Sequence, residues 1–341
     1  MRNFLEPKPD LNAANILVTG GTGSFGKAFI RHVLEHHAPR RIVVFSRDEL
    51  KQYEMEQEIP ADHRNKVRFF IGDVRDVDRL ELAMRDVDVV IHAAALKHVP
   101  AAEYNPFECV KTNIHGAENL VTAALRSNVR RVVSLSTDKA VSPANLYGAS
   151  KLAADKIFVA ANNLSGRQNT RFCVVRYGNV LGSRGSVVPF FQRLLRDGVT
   201  TLPITHPEMT RFWITLKQGV NFVLSSLALM TGGEIFVPKI PSMRVVDVAL
   251  ALAPGLPYEV VGVRPGEKLH ELMITLDDAR TTLEMEDRYI IEPAFAFWSN
   301  EHLVGNGAAQ VAGDFEYASN RNDEWLDEPA LMDMMRDSGL A

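Results

Sequence analysis

The stretch from Asn15 to Leu34 constrains this chain most. Asn15-Ile16-Leu17-Val18 is apolar and short, as a buried strand is. Thr19-Gly20-Gly21-Thr22-Gly23-Ser24-Phe25-Gly26 follows, and Lys27 to Leu34 has the pattern of a helix. Gly20, Gly23 and Gly26 are spaced three apart. Glycine there permits a tight turn and lets backbone approach a pyrophosphate, which then faces the helix N-terminus. A glycine triplet framed by a strand and a helix points to a bound dinucleotide.

The same alternation continues. Strands are expected at 41–47, 67–74, 87–92, 132–135 and 171–177, with helical segments between them. This predicts an α/β chain with a Rossmann-type, doubly wound parallel sheet. The expected NADP-binding unit covers 10–180, with a contribution from about 212–250. Beyond 181 prolines and short elements dominate, and 181–330 is expected to form mainly a smaller substrate-binding domain. Glu328 to Asp337 reads as a helix and Val220 to Met230 as an amphipathic one.

Ligands of such sheets bind at the carboxyl ends of the strands. The second strand ends in Ser46-Arg47, followed by Asp48, with Lys51 nearby. A hydroxyl and a guanidinium suit the 2′-phosphate of NADP; Asp48 is the carboxylate an NAD enzyme would use, so NAD stays the alternative. Asp73, at the end of the third strand, is a candidate for the adenine amino group, with Val74 beside it. Ala93 and Ala95 end the fourth strand and leave room for a cofactor. Lys97 lies at the mouth of the expected site. Asn113 either braces the active-site backbone or caps a helix.

The fifth strand runs into Ser136-Thr137-Asp138-Lys139 and then a helix bearing Tyr147 and Lys151. Those two are four apart, on one helix face. An adjacent ammonium favours phenolate, so Lys151 is expected to lower the Tyr147 pKa and make it a base for a sugar hydroxyl. Leu152, Ile157 and Phe158 are available for the buried face. Arg211 and Arg264, on loop-like segments, are expected to clamp a second diphosphate, that of a nucleotide-linked substrate. Asn179, Thr201 and Glu267 complete the candidate substrate-binding set, and Val180 the cofactor set.

Composition excludes several classes. The 341 residues carry a net charge of −4 with ordinary hydrophobic content, which argues against a nucleic-acid surface. Two cysteines far apart, Cys109 and Cys173, suit a reducing compartment. No membrane span is expected, and a cytoplasmic location is. His32 and His36 share a helix face, but no third ligand is assignable and no metal is expected.

Together the glycine turn and Tyr147-x-x-x-Lys151 resemble the extended short-chain dehydrogenase/reductase superfamily. Within it, Phe45-Ser46-Arg47-Asp48-Glu49-Leu50-Lys51, Ser136-Thr137-Asp138-Lys139-Ala140, Arg176-Tyr177-Gly178-Asn179-Val180, Met209-Thr210-Arg211-Phe212-Trp213 and Tyr317-Ala318-Ser319-Asn320 are similar to UDP-N-acetylglucosamine 4,6-dehydratases of the soluble, C5-inverting kind. The resemblance implies a tightly bound NADP regenerated in each cycle, a homo-oligomer (dimer or hexamer), UDP-N-acetylglucosamine as substrate, and the opening step of pseudaminic acid biosynthesis. It implies that Asn179, Arg211 and Arg264 hold the nucleotide diphosphate. Lys139 would be the base at C5, made neutral by desolvation and nearby positive charge, with Asp138 the acid at C6 and Thr137 a partner of the C4 hydroxyl. Alternatives are a retaining 4,6-dehydratase, a nucleotide-sugar 4-epimerase, which needs no acid–base pair at 138 and 139, and a non-catalytic NADP sensor.

Overall fold

The computed structural model describes residues 2–166, 169–183, 185–295 and 307–340. The first half alternates strictly: β1 (Asn15–Thr19), α1 (Ser24–His36), β2 (Arg41–Ser46), α2 (Glu49–Glu58), β3 (Val67–Ile71), α3 (Val77–Ala83), β4 (Val89–His92), α4 (Val99–Tyr104), α5 (Pro106–Val110), α6 (Gly116–Arg126), β5 (Arg131–Thr137), α7 (Leu146–Ala161) and β6 (Arg171–Tyr177). A π-helical turn, Lys111–His115, joins α5 to α6, and a 3₁₀ turn, Asp138–Ala140, follows β5. The rest comprises β7 (Asn179–Val180), α8 (Val187–Arg196), β8 (Leu202–Ile204), β9 (Thr210–Ile214), α9 (Leu216–Leu229), β10 (Ile235–Pro238), β11 (Ser242–Arg244), α10 (Val245–Leu252), β12 (Tyr258–Val260), β13 (Leu272–Ile274), α11 (Leu276–Ala279), β14 (Thr282–Glu284), β15 (Arg288–Ile291), β16 (Ala309–Gln310), β17 (Tyr317–Ala318) and α12 (Glu328–Asp337).

The main sheet has the order β16-β14-β15-β10-β6-β5-β4-β1-β2-β3. From β10 to β3 every pairing is parallel; β15, β14 and β16 add an antiparallel flank. The parallel strands lie between layers of helices, so they are apolar on both faces rather than alternating. Strands β1 and β4 are buried throughout. The order reverses at β1, which leads to β2 on one side and β4 on the other, opening a crevice at the carboxyl ends. The sheet takes in 235–238, and also 282–284, 288–291 and 309–310 from the stretch expected to serve the substrate.

Two smaller apolar clusters build the other lobe. Leu181, Val188, Trp213 and Met243 pack with Leu331 and Met334 of α12. Phe191, Leu202, Ile204 and Met209 pack with Val245 and Val246 of α10.

Two local expectations change. Helix α9 is not amphipathic: Gln218 to Leu227 are all buried. It lies under the N-terminal strap, where Gln218 Nε2 and Asn221 Nδ2 donate to the carbonyls of Arg2 and Asn3 (2.8 and 2.9 Å). Its Ser225 Oγ accepts from the buried Arg288. The polar residues that suggested a wet face are bonded inside. On α7, Phe158 is buried as expected, but Leu152 and Ile157 are only partly so; Lys151, Ala154 and Asp155 share the inward stripe.

His92, at the end of β4, is buried, with Nδ1 2.8 Å from Thr19 Oγ1. Burial, reinforced by Lys151, lowers its pKa from 6.5 to about 3. Below pH 6.5 the unfolded chain therefore binds a proton that the folded chain refuses. Folding stability should fall by about 2 kcal/mol between pH 6.5 and pH 5 from this residue alone. Urea unfolding of His92→Asn at the two pH values should lack that part of the slope.

Candidate active site

The glycine turn forms the floor of the crevice. Gly20 has φ +64°, and a Cβ on it would stand 2.9 Å from the Ala93 carbonyl carbon and the Ala94 nitrogen. The turn and the end of β4 thus meet backbone to backbone, as an L side chain would prevent. A Cβ on Gly26 would stand 2.5 Å from the Gly21 backbone, which lets α1 press on the turn. Gly23 caps α1 without any side-chain hydrogen bond. The first N–H groups of the helix, at Ser24 and Phe25, therefore have no side-chain acceptor, and an anion fits there.

At the end of β2, Thr22 Oγ1 and Ser46 Oγ are 2.9 Å apart. Asp48 caps α2, accepting from Lys51 N at 3.0 Å and pairing with its ammonium; the Lys51 hydrogen bonds hold its carboxyl below the usual range. Asp48 is thus committed to its own helix, and the Arg47 side chain is about half exposed. Asp73 accepts from Arg75 (2.7 Å) and lies 3.5 Å from Arg47. Val74 is buried against α6, its carbonyl bonded by Asn119. Ala93 and Ala95 open onto the crevice side of β4, where Ala95 is exposed. These residues fit a dinucleotide.

Asn113, in the π turn, braces rather than caps. Its Oδ1 accepts from Leu96 N (2.8 Å), and its Nδ2 donates to Leu96 O and Ser150 Oγ (both 2.9 Å). It thereby holds the loop after β4, with Lys97, against α7.

The reactive groups meet where β5 ends. Thr137 Oγ1 donates to Asp138 Oδ1 at 2.9 Å. Lys139 Nζ lies 3.0 Å from that same oxygen, 3.2 Å from Asn179 Oδ1 and 3.4 Å from Glu271 Oε1. Asp138 is fully buried, and its Oδ2 is a buried oxygen with no hydrogen-bond partner. The α7 backbone fits tightly under this turn: a Cβ on Gly148 would stand 2.1 Å from the Lys139 carbonyl oxygen. Glycine there lets the helix carrying Tyr147 touch the turn carrying Asp138 and Lys139.

Electrostatics corrects two expectations. Lys139 is not a neutral amine here. Burial opposes its charge, but Asp138 and Glu271 outweigh burial and hold the ammonium above its usual range. Tyr147 is not acidified by Lys151. Burial pushes the phenol up to about 12, opposed by Lys139 and by a hydrogen bond with Thr137. Lys151 instead donates to Leu135 O (2.7 Å), burial lowers its pKa, and Asp155 opposes that shift. Burial also raises Asp138, and Lys139 opposes it, so a protonated carboxyl is accessible nearer neutrality.

Arg211 is not on a loop. It lies in β9, buried over its whole length. Its NH1 and NH2 donate to the carbonyls of Thr210, Leu269 and Lys268, and its Nε lies 3.8 Å from Glu271. The run Thr-Arg-Phe-Trp-Ile is β-rich, and the prolines before it, Pro203 and Pro207, disguised it. Arg264 is exposed on the 263–267 loop, 3.8 Å from Glu267. Thr201 precedes β8, which pairs in parallel with β12; it stands at the end of that pair opposite to the 263–267 loop. Val180 lies in β7, paired with Ile214.

Sequence reasoning missed Glu271, Lys268 and Asp155. Glu271 is buried, and burial opposes its charge, yet Lys139, Arg211 and Lys268 hold it below the usual range. Lys268 Nζ lies 3.0 Å from Glu271 Oε2 and donates to Val141 O at 2.8 Å. Asp155 accepts from Ser136 (2.8 Å) and faces Arg176 at 3.6 Å, both buried. A signal for Asp155 was available, since it follows Lys151 by four on one helix.

Among the described residues no helix is long and apolar enough to cross a membrane. Comparison with known proteins places the chain. It is 54% identical to UDP-N-acetylglucosamine 4,6-dehydratase (inverting) of Campylobacter jejuni subsp. jejuni over 95% of this chain and 98% of that protein. It is 41% identical to a UDP-glucose 4-epimerase of Rickettsia canadensis, over 81% of this chain and 82% of that one. Among solved structures, Pen from Bacillus thuringiensis matches with a TM-score of 0.87 and 34% identity, over 97% of this chain and 99% of the other. DesIV of Streptomyces venezuelae, a dTDP-glucose 4,6-dehydratase solved with NAD and TYD, matches with a TM-score of 0.66 and 25% identity, over 75% of this chain and 86% of that one. Residues 16–293 match the family described as "Polysaccharide biosynthesis protein", and the chain belongs to that family.

Proposed function

We propose that this chain dehydrates UDP-N-acetylglucosamine across C4 and C6 with inversion at C5, using bound NADP. The carrying observation is the Thr137-Asp138-Lys139 turn in contact with the Tyr147 helix. The likeness to dehydratases that the comparisons name supports the substrate. The Thr22–Ser46 hydroxyl pair, the exposed Arg47 and the committed Asp48 support NADP over NAD. When bound, NADP would supply the hydride acceptor for C4 and the hydride donor for C6, and its positive charge would favour the Tyr147 phenolate.

Tyr147 takes the C4 hydroxyl proton and Thr137 orients that hydroxyl. The ketone acidifies C5–H, which Lys139 removes; Lys139 acts only once it has shed one proton. Asp138, with burial favouring its neutral form and Oδ2 free of any hydrogen-bond partner, protonates the leaving C6 hydroxyl. Return of a proton to C5 from the opposite face inverts the centre. Asn179, Arg211, Arg264, Glu267 and Lys97 form the proposed nucleotide-sugar site; Thr201, at the other end of the β8–β12 pair, is left out of it. The product opens pseudaminic acid biosynthesis, and the enzyme works as a cytoplasmic homo-oligomer.

Proton NMR of the purified protein with UDP-N-acetylglucosamine in deuterium oxide, without added cofactor, tests this. The expected product is a 4-keto, 6-deoxy sugar of L-arabino configuration with deuterium at C5. Unchanged C5 configuration would mean a retaining dehydratase. Conversion to the galacto sugar would mean an epimerase and leave the Asp138–Lys139 pair without a role.

A further inference from the structure

Glu271 is a carboxylate that the proton relay above does not use, although it sits within it. It is 2% exposed and meets three cations: Lys139 at 3.4 Å, Lys268 at 3.0 Å and Arg211 at 3.8 Å. Each cation comes from a different place: the turn after β5, the loop before β13, and strand β9. Its own position is fixed by backbone. Glu271 N donates to Ser319 Oγ (2.9 Å), and Ser319 N donates to Glu271 O (2.8 Å). The loop carrying it is latched to the catalytic segment twice more, by Asn145 to Gly266 O and Lys268 to Val141 O, both at 2.8 Å.

A buried carboxylate with three cations around it keeps its charge only while they stay. On the proposed reading Arg211 belongs to the nucleotide-sugar site, and Lys268 directly follows Glu267 of that site in the chain, so the substrate's diphosphate competes with Glu271 for both. We infer that Glu271 is a positioning residue that stores the proton of Lys139: as the substrate's anion draws Arg211 and Lys268 off, Glu271 accepts a proton from the ammonium, and Lys139 becomes the free amine that attacks C5–H. One N–H bond breaks at Lys139, one O–H bond forms at Glu271, and nothing is oxidised or reduced. The base is thereby armed by substrate. The inference rests on the dehydratase reading of the site. The groups facing this relay are Asp138 and Lys139 from the turn, Tyr147 from α7, Arg211 from β9, and Lys268 and His270 from the loop.

The test separates two steps in the full-length enzyme with UDP-N-acetylglucosamine. Reduced-nicotinamide absorbance reports hydride leaving C4; deuterium entering C5 reports the base. In wild-type enzyme the exchange rate at saturating substrate should be flat across neutral pH, because the proton moves internally. Glu271→Gln should keep the hydride step and lose about a hundredfold in exchange. Its exchange should then climb about tenfold per pH unit, as bulk water has to deprotonate Lys139. Glu271→Asp keeps the charge and the folded site but withdraws it from Lys139, and should slow exchange alone. A Glu271→Gln enzyme that matches wild type in rate and profile overturns the inference. So does one that loses the hydride step together with exchange, which would mark Glu271 as scaffold. A wild-type enzyme that leaves C5 of the sugar unlabelled overturns the dehydratase reading and the relay with it.

Discussion

Exchange of Lys139 for arginine should stop elimination, by about a thousandfold or more, while hydride still leaves C4. Arginine keeps the positive charge that Asp138 and Glu271 both require, so the buried carboxylates stay compensated. A guanidinium cannot be deprotonated near neutrality, so the base alone is removed. The expected result is a burst of reduced nicotinamide on mixing with substrate and no 6-deoxy product. Lys139→Met should differ in a second respect. It leaves Asp138 and Glu271, both buried, without their shared cation, at a cost on the order of 3 kcal/mol. That cost should shrink in acid as the carboxyls protonate. If Lys139→Arg forms the 6-deoxy ketone at near wild-type rate, Lys139 is not the base.

Gly148→Ala should be nearly as damaging, though the residue carries no reactive atom. Its added Cβ would stand 2.1 Å from the Lys139 carbonyl oxygen and 3.0 Å from Pro143 Cβ. An ordinary carbon–oxygen contact needs roughly 1 Å more, so turn and helix must part. Overpacking of this kind costs about 1–3 kcal/mol. A shift near 1 Å between Tyr147 and the Asp138–Lys139 pair is worth about a hundredfold in rate. Turnover and thermal unfolding should therefore fall together, whereas Lys139→Arg loses turnover alone. Unchanged turnover in Gly148→Ala would mean that the turn and helix move independently.

Much of the crevice was legible in the sequence because local patterns made it. The glycine turn, the Tyr147–Lys151 spacing and the buried strands that end in reactive residues each need only neighbours in the chain. Asn113 was legible as a polar residue in a helical run, and its brace across to Leu96 decided its role. Glu271 was not legible, because its meaning comes from Lys139, Arg211 and Lys268, which only the folded chain brings around it. The charge of Lys139 was misjudged for the same reason. Burial and the positive charge of Arg211 act in the expected direction, but two carboxylates, Asp138 and Glu271, outweigh them. Burial holds the Tyr147 phenol high, and Lys151 aims its ammonium at the Leu135 carbonyl, an orientation that spacing alone does not give.

The contact at Gly148 also bears on how such a site could change its chemistry. The turn that carries residues 138 and 139 meets the tyrosine helix main chain to main chain, at the Lys139 carbonyl and Gly148. Side chains at 138 and 139 can therefore change while the main chain there keeps its contact with the helix. One scaffold can then oxidise C4 in the same way and diverge only in what happens next. A family with members named as dehydratases and as epimerases is what such a separation of parts would allow.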